Sequence, residues 1–82
     1  LAYAYEALRR GGCSCIMLNA ANEIAVENFL KGKIRFIDIP KICEVMMLSA
    51  SEQAPKSLED VLEADKEARI LTQEYISGYT GE

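Results

Sequence analysis

The sequence predicts a small all-α domain, a four-helix bundle-like arrangement with little or no sheet, and three observations predict it. Apolar residues recur three and four positions apart along most of the chain, the period of a helix with one buried face. Glycine and proline fall at the ends of these runs, at Gly11-Gly12, Gly32, Pro40, Pro55 and Gly78. Of the 82 residues, 50% are hydrophobic and 27% charged, enough apolar material for one core and too much for a disordered segment.

The first helix is expected from Leu1 to about Arg10, with Leu1, Ala4, Tyr5 and Leu8 on one face. Gly11-Gly12 ends it, and Arg9 and Arg10 suit the negative end of its dipole. The second is expected from about Asn19 to Leu30. Asn19 serves as N-cap, Glu23 lies in the first turns, and Ala21, Ile24, Ala25, Phe29 and Leu30 form a stripe widened by Val26. Its small alanines let a neighbour approach closely, so it is the central helix. Ile34 to Ile37 alternates and reads as a short extended connector.

Asp38 then caps a third helix, and Pro40 fits its first turn, where the missing N–H has no partner to lose. Ile39, Ile42, Cys43 and Met46 point inward, Val45 and Met47 are partly covered, and the helix fades near Ser49. A polar loop follows from Ser51 to Lys56. Ser57 opens the longest helix, with Asp60 completing a variant of the capping box. Val61, Ala64, Ala68, Leu71 and Tyr75 form its inward seam, Gly78 ends it, and Tyr79 to Glu82 read as a frayed end.

Composition excludes several chemistries. The chain has no histidine, so an imidazole base or ligand must come from elsewhere. The net charge of -4 argues against a nucleic-acid partner, and no apolar run is long enough to span a membrane. Cys13, Cys15 and Cys43 are an odd set without CxxC spacing, which favours a reducing compartment over a disulfide framework. Cys43 reads as a small core hydrophobe, and Cys13-Ser14-Cys15 as a turn with two unpaired thiols. The acidic cluster Glu59, Asp60, Glu63, Asp65 and Glu67 lacks a glycine-turned calcium loop and reads as a solvated face. Neither GxGxxG nor GxxxxGK[ST] occurs. Lys31, Lys33, Arg35 and Lys41 form a modest basic patch, read as helix-end pairing. No catalytic, cofactor-binding or metal-ligating residue is assigned. Asn19, Asn22, Glu23, Asp38 and Ser57 are assigned structural roles, Asn22 as a bond to a neighbouring loop or helix end.

Leu18-Asn19-Ala20-Ala21-Asn22-Glu23, then Ala25-Val26 and Phe29-Leu30, followed by Lys33-Ile34-Arg35-Phe36-Ile37-Asp38-Ile39, resembles the carboxy-terminal domain of the 1-deoxy-D-xylulose 5-phosphate reductoisomerase family. Ala7 to Gly12 matches the family's first helix and glycine turn, and Asp65 with Ala68-Arg69 its last helix more loosely. Cys13 to Ile16 departs from the family pattern, in a loop by this reading, and Ser49 to Lys56 is uninformative. The resemblance implies a single helical domain over residues 1–82, the final piece of a three-domain enzyme. The parent would isomerise and reduce 1-deoxy-D-xylulose 5-phosphate to 2-C-methyl-D-erythritol 4-phosphate with NADPH and Mg or Mn, in non-mevalonate isoprenoid synthesis. It would act as a homodimer in a bacterial cytosol or a plastid. None of the family's cofactor or metal residues maps onto this chain, whose implied partner is the catalytic domain of its own polypeptide. The start at Leu1 instead of Met fits a domain cut from a longer chain. An apolar or tyrosine-bearing patch, with Tyr3 and Tyr5 as candidates, is expected where the middle domain would sit. The alternatives are an autonomous helical interaction module and, ranked lower, an acyl-carrier-like protein using Ser57. Lys56 stands where a carrier has aspartate, and too little chain follows the serine.

Overall fold

The structure, a computed structural model, describes residues 2–79, with side chains from Tyr5 onward. The predicted roles of Leu1, Ala4 and Tyr3 and of residues 80–82 lie outside that description. Four helices follow one another: α1 (Ala2–Arg10), α2 (Ser14–Leu30), α3 (Asp38–Leu48) and α4 (Leu58–Ser77). No strand occurs among the described residues, as the helical periodicity predicts. The centre is α2, with α3 and α4 packed along it and α1 leaning on α2 and α3.

The helix boundaries correct one expectation. α2 begins at Ser14, more than a turn before Asn19, so Asn19 lies inside the helix and is not its cap. The reversal from α1 is made by Gly11 and Gly12 alone, with φ of 70° and 59°, a region that costs a side-chain-bearing residue about 1–2 kcal/mol. With no breaker after Gly12, the backbone turns helical at once, and the Met17 N–H already bonds the Cys13 carbonyl at 2.9 Å. Gly12 has a second reason to be glycine. A Cβ there would lie 2.6 Å from the backbone of Ser51 and Glu52, against which the turn is pinned by the Cys13 N–H to Ser51 carbonyl bond of 2.9 Å.

Met17, Ala20, Ala21 and Ala25 of α2 meet Ile39, Ile42, Cys43 and Met46 of α3 and Ala68 and Ile76 of α4 in one cluster. The inward α3 residues are as assigned, but Met47 is fully buried and Val45 exposed, where both were expected to be partly covered. Leu30, the last residue of α2, and Val26 depart from the predicted stripe and are exposed. The predicted extended connector is a series of turns: Gly32 N–H bonds the Phe29 carbonyl, Lys33 N–H that of Asn28, and Asp38 N–H that of Arg35. The α4 seam also shifts. After Ala68 the buried positions are Thr72 and Ile76, while Leu71 is exposed. Four-residue steps from Ala68 keep the seam on α2, and Thr72 tolerates the core because its hydroxyl donates to the Ala68 carbonyl at 2.7 Å.

Candidate docking surface

Of the predicted apolar face of α1, Tyr5 and Leu8 do not face the bundle. Ala7 is its contact with the core, fully buried, whereas Tyr5 and Leu8, one turn apart, are 78% and 70% exposed. A helix whose large apolar residues point away from its own core presents a face for something else. Tyr5 was expected in such a patch; the Tyr3 side chain lies outside the described residues. Glu6 and Arg9 pair beside Leu8, which holds the Glu6 carboxyl below its usual range.

The α2–α3 turn is stapled from behind by Asp38. This carboxylate opens α3 and is buried. It accepts the Arg35 backbone N–H at 2.8 Å, the Arg35 guanidinium at 3.2 and 3.3 Å, and the Tyr79 hydroxyl at 3.0 Å. These donors, the Arg35 side chain first, hold its carboxyl below the usual aspartate range against the opposing effect of burial. Burial and the bond to Asp38 push the Tyr79 phenol up. Asp38 is therefore the first residue of α3 and not the cap it was expected to be. Ile37 holds the cap position with no side-chain cap bond, and the Asp38 carboxylate instead ties the preceding turn to the end of α4. Tyr79, expected to fray, is packed against the core and holds that bond.

The other assigned residues fall in two places. Asn19 donates to Glu23 at 3.2 Å, and Glu23 accepts from Arg69 of α4 at 3.2 Å. Arg69 also holds Asp65 at 2.9 Å, so these residues form an exposed polar seam between α2 and α4. Asn22 reaches the flank of α3, where the Cys43 thiol lies 4.0 Å from its Oδ1, and not a loop or helix end. Burial pushes that thiol's pKa up, in keeping with Cys43 as a core hydrophobe. Cys15 is exposed, and Cys13 donates to the Gln53 carbonyl at 3.4 Å. Ser57 caps α4 as predicted, accepting the Asp60 N–H at 3.1 Å; Asp60 returns to the Lys56 N–H at 2.9 Å, one residue earlier than a capping box would.

Sequence reading missed the buried amide pair. Asn28 of α2 is 2% exposed; its Nδ2 donates to the Ile24 carbonyl at 2.8 Å and to Gln73 Oε1 of α4 at 3.0 Å. The signal was present: Asn28 lies on the α2 core face, three residues from Ala25.

An open groove of about 420 Å³ lies between the Gln53–Lys56 loop and α4, lined by Cys13, Asp60, Glu63 and Glu67. Among the described residues no three His, Cys, Asp or Glu side chains gather as metal ligands. Gly12, the tightest glycine turn, is filled by backbone. Among the described residues, the Gly12 turn therefore leaves no room for a phosphate group.

A family model described as the DXP reductoisomerase C-terminal domain matches residues 1–71. The 1-deoxy-D-xylulose 5-phosphate reductoisomerase of Ruthia magnifica is 47% identical over 79 residues, 96% of this chain and 21% of that protein. That of Cupriavidus pinatubonensis is 55% identical over 69 residues, covering 84% of this chain and 18% of its own. That of Proteus mirabilis is 47% identical over 77 residues, covering 94% and 19%. The chain thus spans about a fifth of the length of these relatives. With α1, the glycine turn, α2, α3 and most of α4 inside the matched region, the chain belongs to the DXP reductoisomerase C-terminal domain family.

Proposed function

We propose that this chain is the final, bracing domain of a three-domain 1-deoxy-D-xylulose 5-phosphate reductoisomerase, and that α1 is the face applied to the catalytic domain. The outward-facing Tyr5 and Leu8 carry the reading, on the helix that leads into a domain of this family. The parent would convert 1-deoxy-D-xylulose 5-phosphate to 2-C-methyl-D-erythritol 4-phosphate with NADPH and Mg or Mn supplied and held by the preceding domains. It would work as a homodimer in the cytoplasm. In this division of labour the present residues contribute stiffness: a helical block whose core is independent of the active site and whose outer face limits motion of the catalytic domain.

Calorimetric titration of residues 1–82 with NADPH, Mn and the sugar phosphate tests the absence of a site. No binding is expected. A micromolar complex with any of the three would overturn the division of labour. A normal partner that binds the chain in isolation would favour the autonomous interaction module instead.

A further inference from the structure

The turn between α2 and α3 carries a second exposed apolar group that the α1 face does not account for. Leu30, Phe36 and Ile37 are all exposed, Phe36 at 69%. This turn is not slack. Phe36 is braced edge-on by Phe29, ring centroids 5.6 Å apart, and Asp38 bonds the Arg35 backbone, the Arg35 guanidinium and Tyr79 from below. A buried carboxylate is spent on holding the shape of a surface turn, and a rigid aromatic display is what a binding hot spot requires.

The charges around it are one-sided. Lys31, Lys33, Arg35 and Lys41 lie within eleven residues whose single acid, Asp38, is buried beneath them. Lys31 pairs with Glu27 and Arg35 with Asp38, as helix-end pairing predicts. Lys33 and Lys41 have no ion pair among the described residues. Lys41 also sits in the first turn of α3, where the helix dipole disfavours a cation. A charge kept against the dipole and without an internal partner serves the helix poorly and a counter-charge outside it well.

We propose that Leu30, Phe36 and Ile37, with the exposed Lys33 in the same turn and Lys41 in the first turn of α3, form a second docking site whose occupant is an apolar surface rimmed by carboxylates on the part of the same polypeptide that precedes this domain. The proposal rests on the reading of the chain as one domain of a longer reductoisomerase. About four-fifths of the relatives' length lies outside the region matched here, so such an occupant is covalently tethered and needs little intrinsic affinity. The basic rim sets register, and Phe36 supplies the anchor.

Hydroxyl-radical footprinting of the full-length protein tests this, with labelling of Phe36 and Ile37 compared with that of Leu62, exposed on α4, after correction for intrinsic reactivity. Phe36 and Ile37 are expected to lose labelling relative to Leu62, and the surface variant K33E/K41E to regain it. Free labelling of Phe36 with Tyr5 and Leu8 protected would overturn this second site and leave the α1 face standing. Free labelling of all four would overturn both. Protection unchanged in K33E/K41E would refute the acidic rim. Protection that vanishes on dilution would assign the site to a second copy, and protection only with anionic vesicles to a membrane surface, either of which overturns the proposal.

Discussion

Asp38 is the residue on which most local order converges, because a single buried carboxylate fixes the α2–α3 turn and the end of α4 together. Its donors hold its folded-state pKa below the unfolded value. Its stabilisation is therefore complete above the ordinary aspartate pKa and is lost as pH falls through the lower folded value. The variant D38N is expected to melt several degrees lower at neutral pH and to show a shallower loss of stability on acidification. Thermal melts across the acid range at high salt check this, since salt screens the exposed Glu6–Arg9 pair, the other lowered carboxyl. Equal acid slopes for D38N and the parent sequence would contradict it. Gly12 supplies a second test. G32A places a methyl in open space and should cost about 1–2 kcal/mol for left-handed backbone alone. G12A meets the Ser51–Glu52 backbone as well and should cost distinctly more by denaturant titration.

Among the elements, α2 carries the bundle, and its interfaces are of two kinds. Against α3 it is apolar, and I42A should lose about 2–5 kcal/mol as the fully buried side chain is removed. Against α4 it includes the Asn28–Gln73 amide pair. N28A leaves Gln73 without its partner and should cost about 1–3 kcal/mol, whereas N28L/Q73L removes both polar groups and should recover much of the loss. A double-mutant cycle in urea measures this, and additive losses would argue against the pair. This scale also shows what the sequence made legible. The α3 core residues Ile39, Ile42, Cys43 and Met46 were readable because their spacing and a proline-marked start agree. The start of α2 was not, because Asn19 is an excellent cap type and nothing local says that Gly12 has already released the chain into a helix. The seam of α4 drifted for a similar reason. Leu71 and Thr72 are adjacent, hydropathy favours the leucine, and only the position of α2 selects the threonine.

For the whole molecule, the most informative feature is the apolar surface the bundle does not cover, which includes Tyr5 and Leu8 on α1 and Leu30, Phe36 and Ile37 at the α2–α3 turn. The family could be read from Leu18 to Ile39, and Tyr5 stood as a patch candidate through that resemblance. Leu8 and the Phe36 turn could not be read as surface, since an apolar residue at helical spacing is read as core until a structure shows where the core lies. Tyr5 and Leu8 match the helical period of α1 and still point outward. Among the described residues no helix is long and apolar enough to cross a membrane. On the proposed reading a domain edge would account for Tyr5 and Leu8, and it would make the stability of this domain and that of its parent interdependent.

Differential scanning calorimetry of the full-length protein, comparing the parent sequence with the surface double variant Y5E/L8E, tests that claim most directly. The account predicts one cooperative transition for the parent sequence and a separate, earlier transition for this domain in the variant, because the charges uncouple it without touching Ala7 or the core. Identical scans for the two proteins would contradict the claim that α1 docks on the catalytic domain.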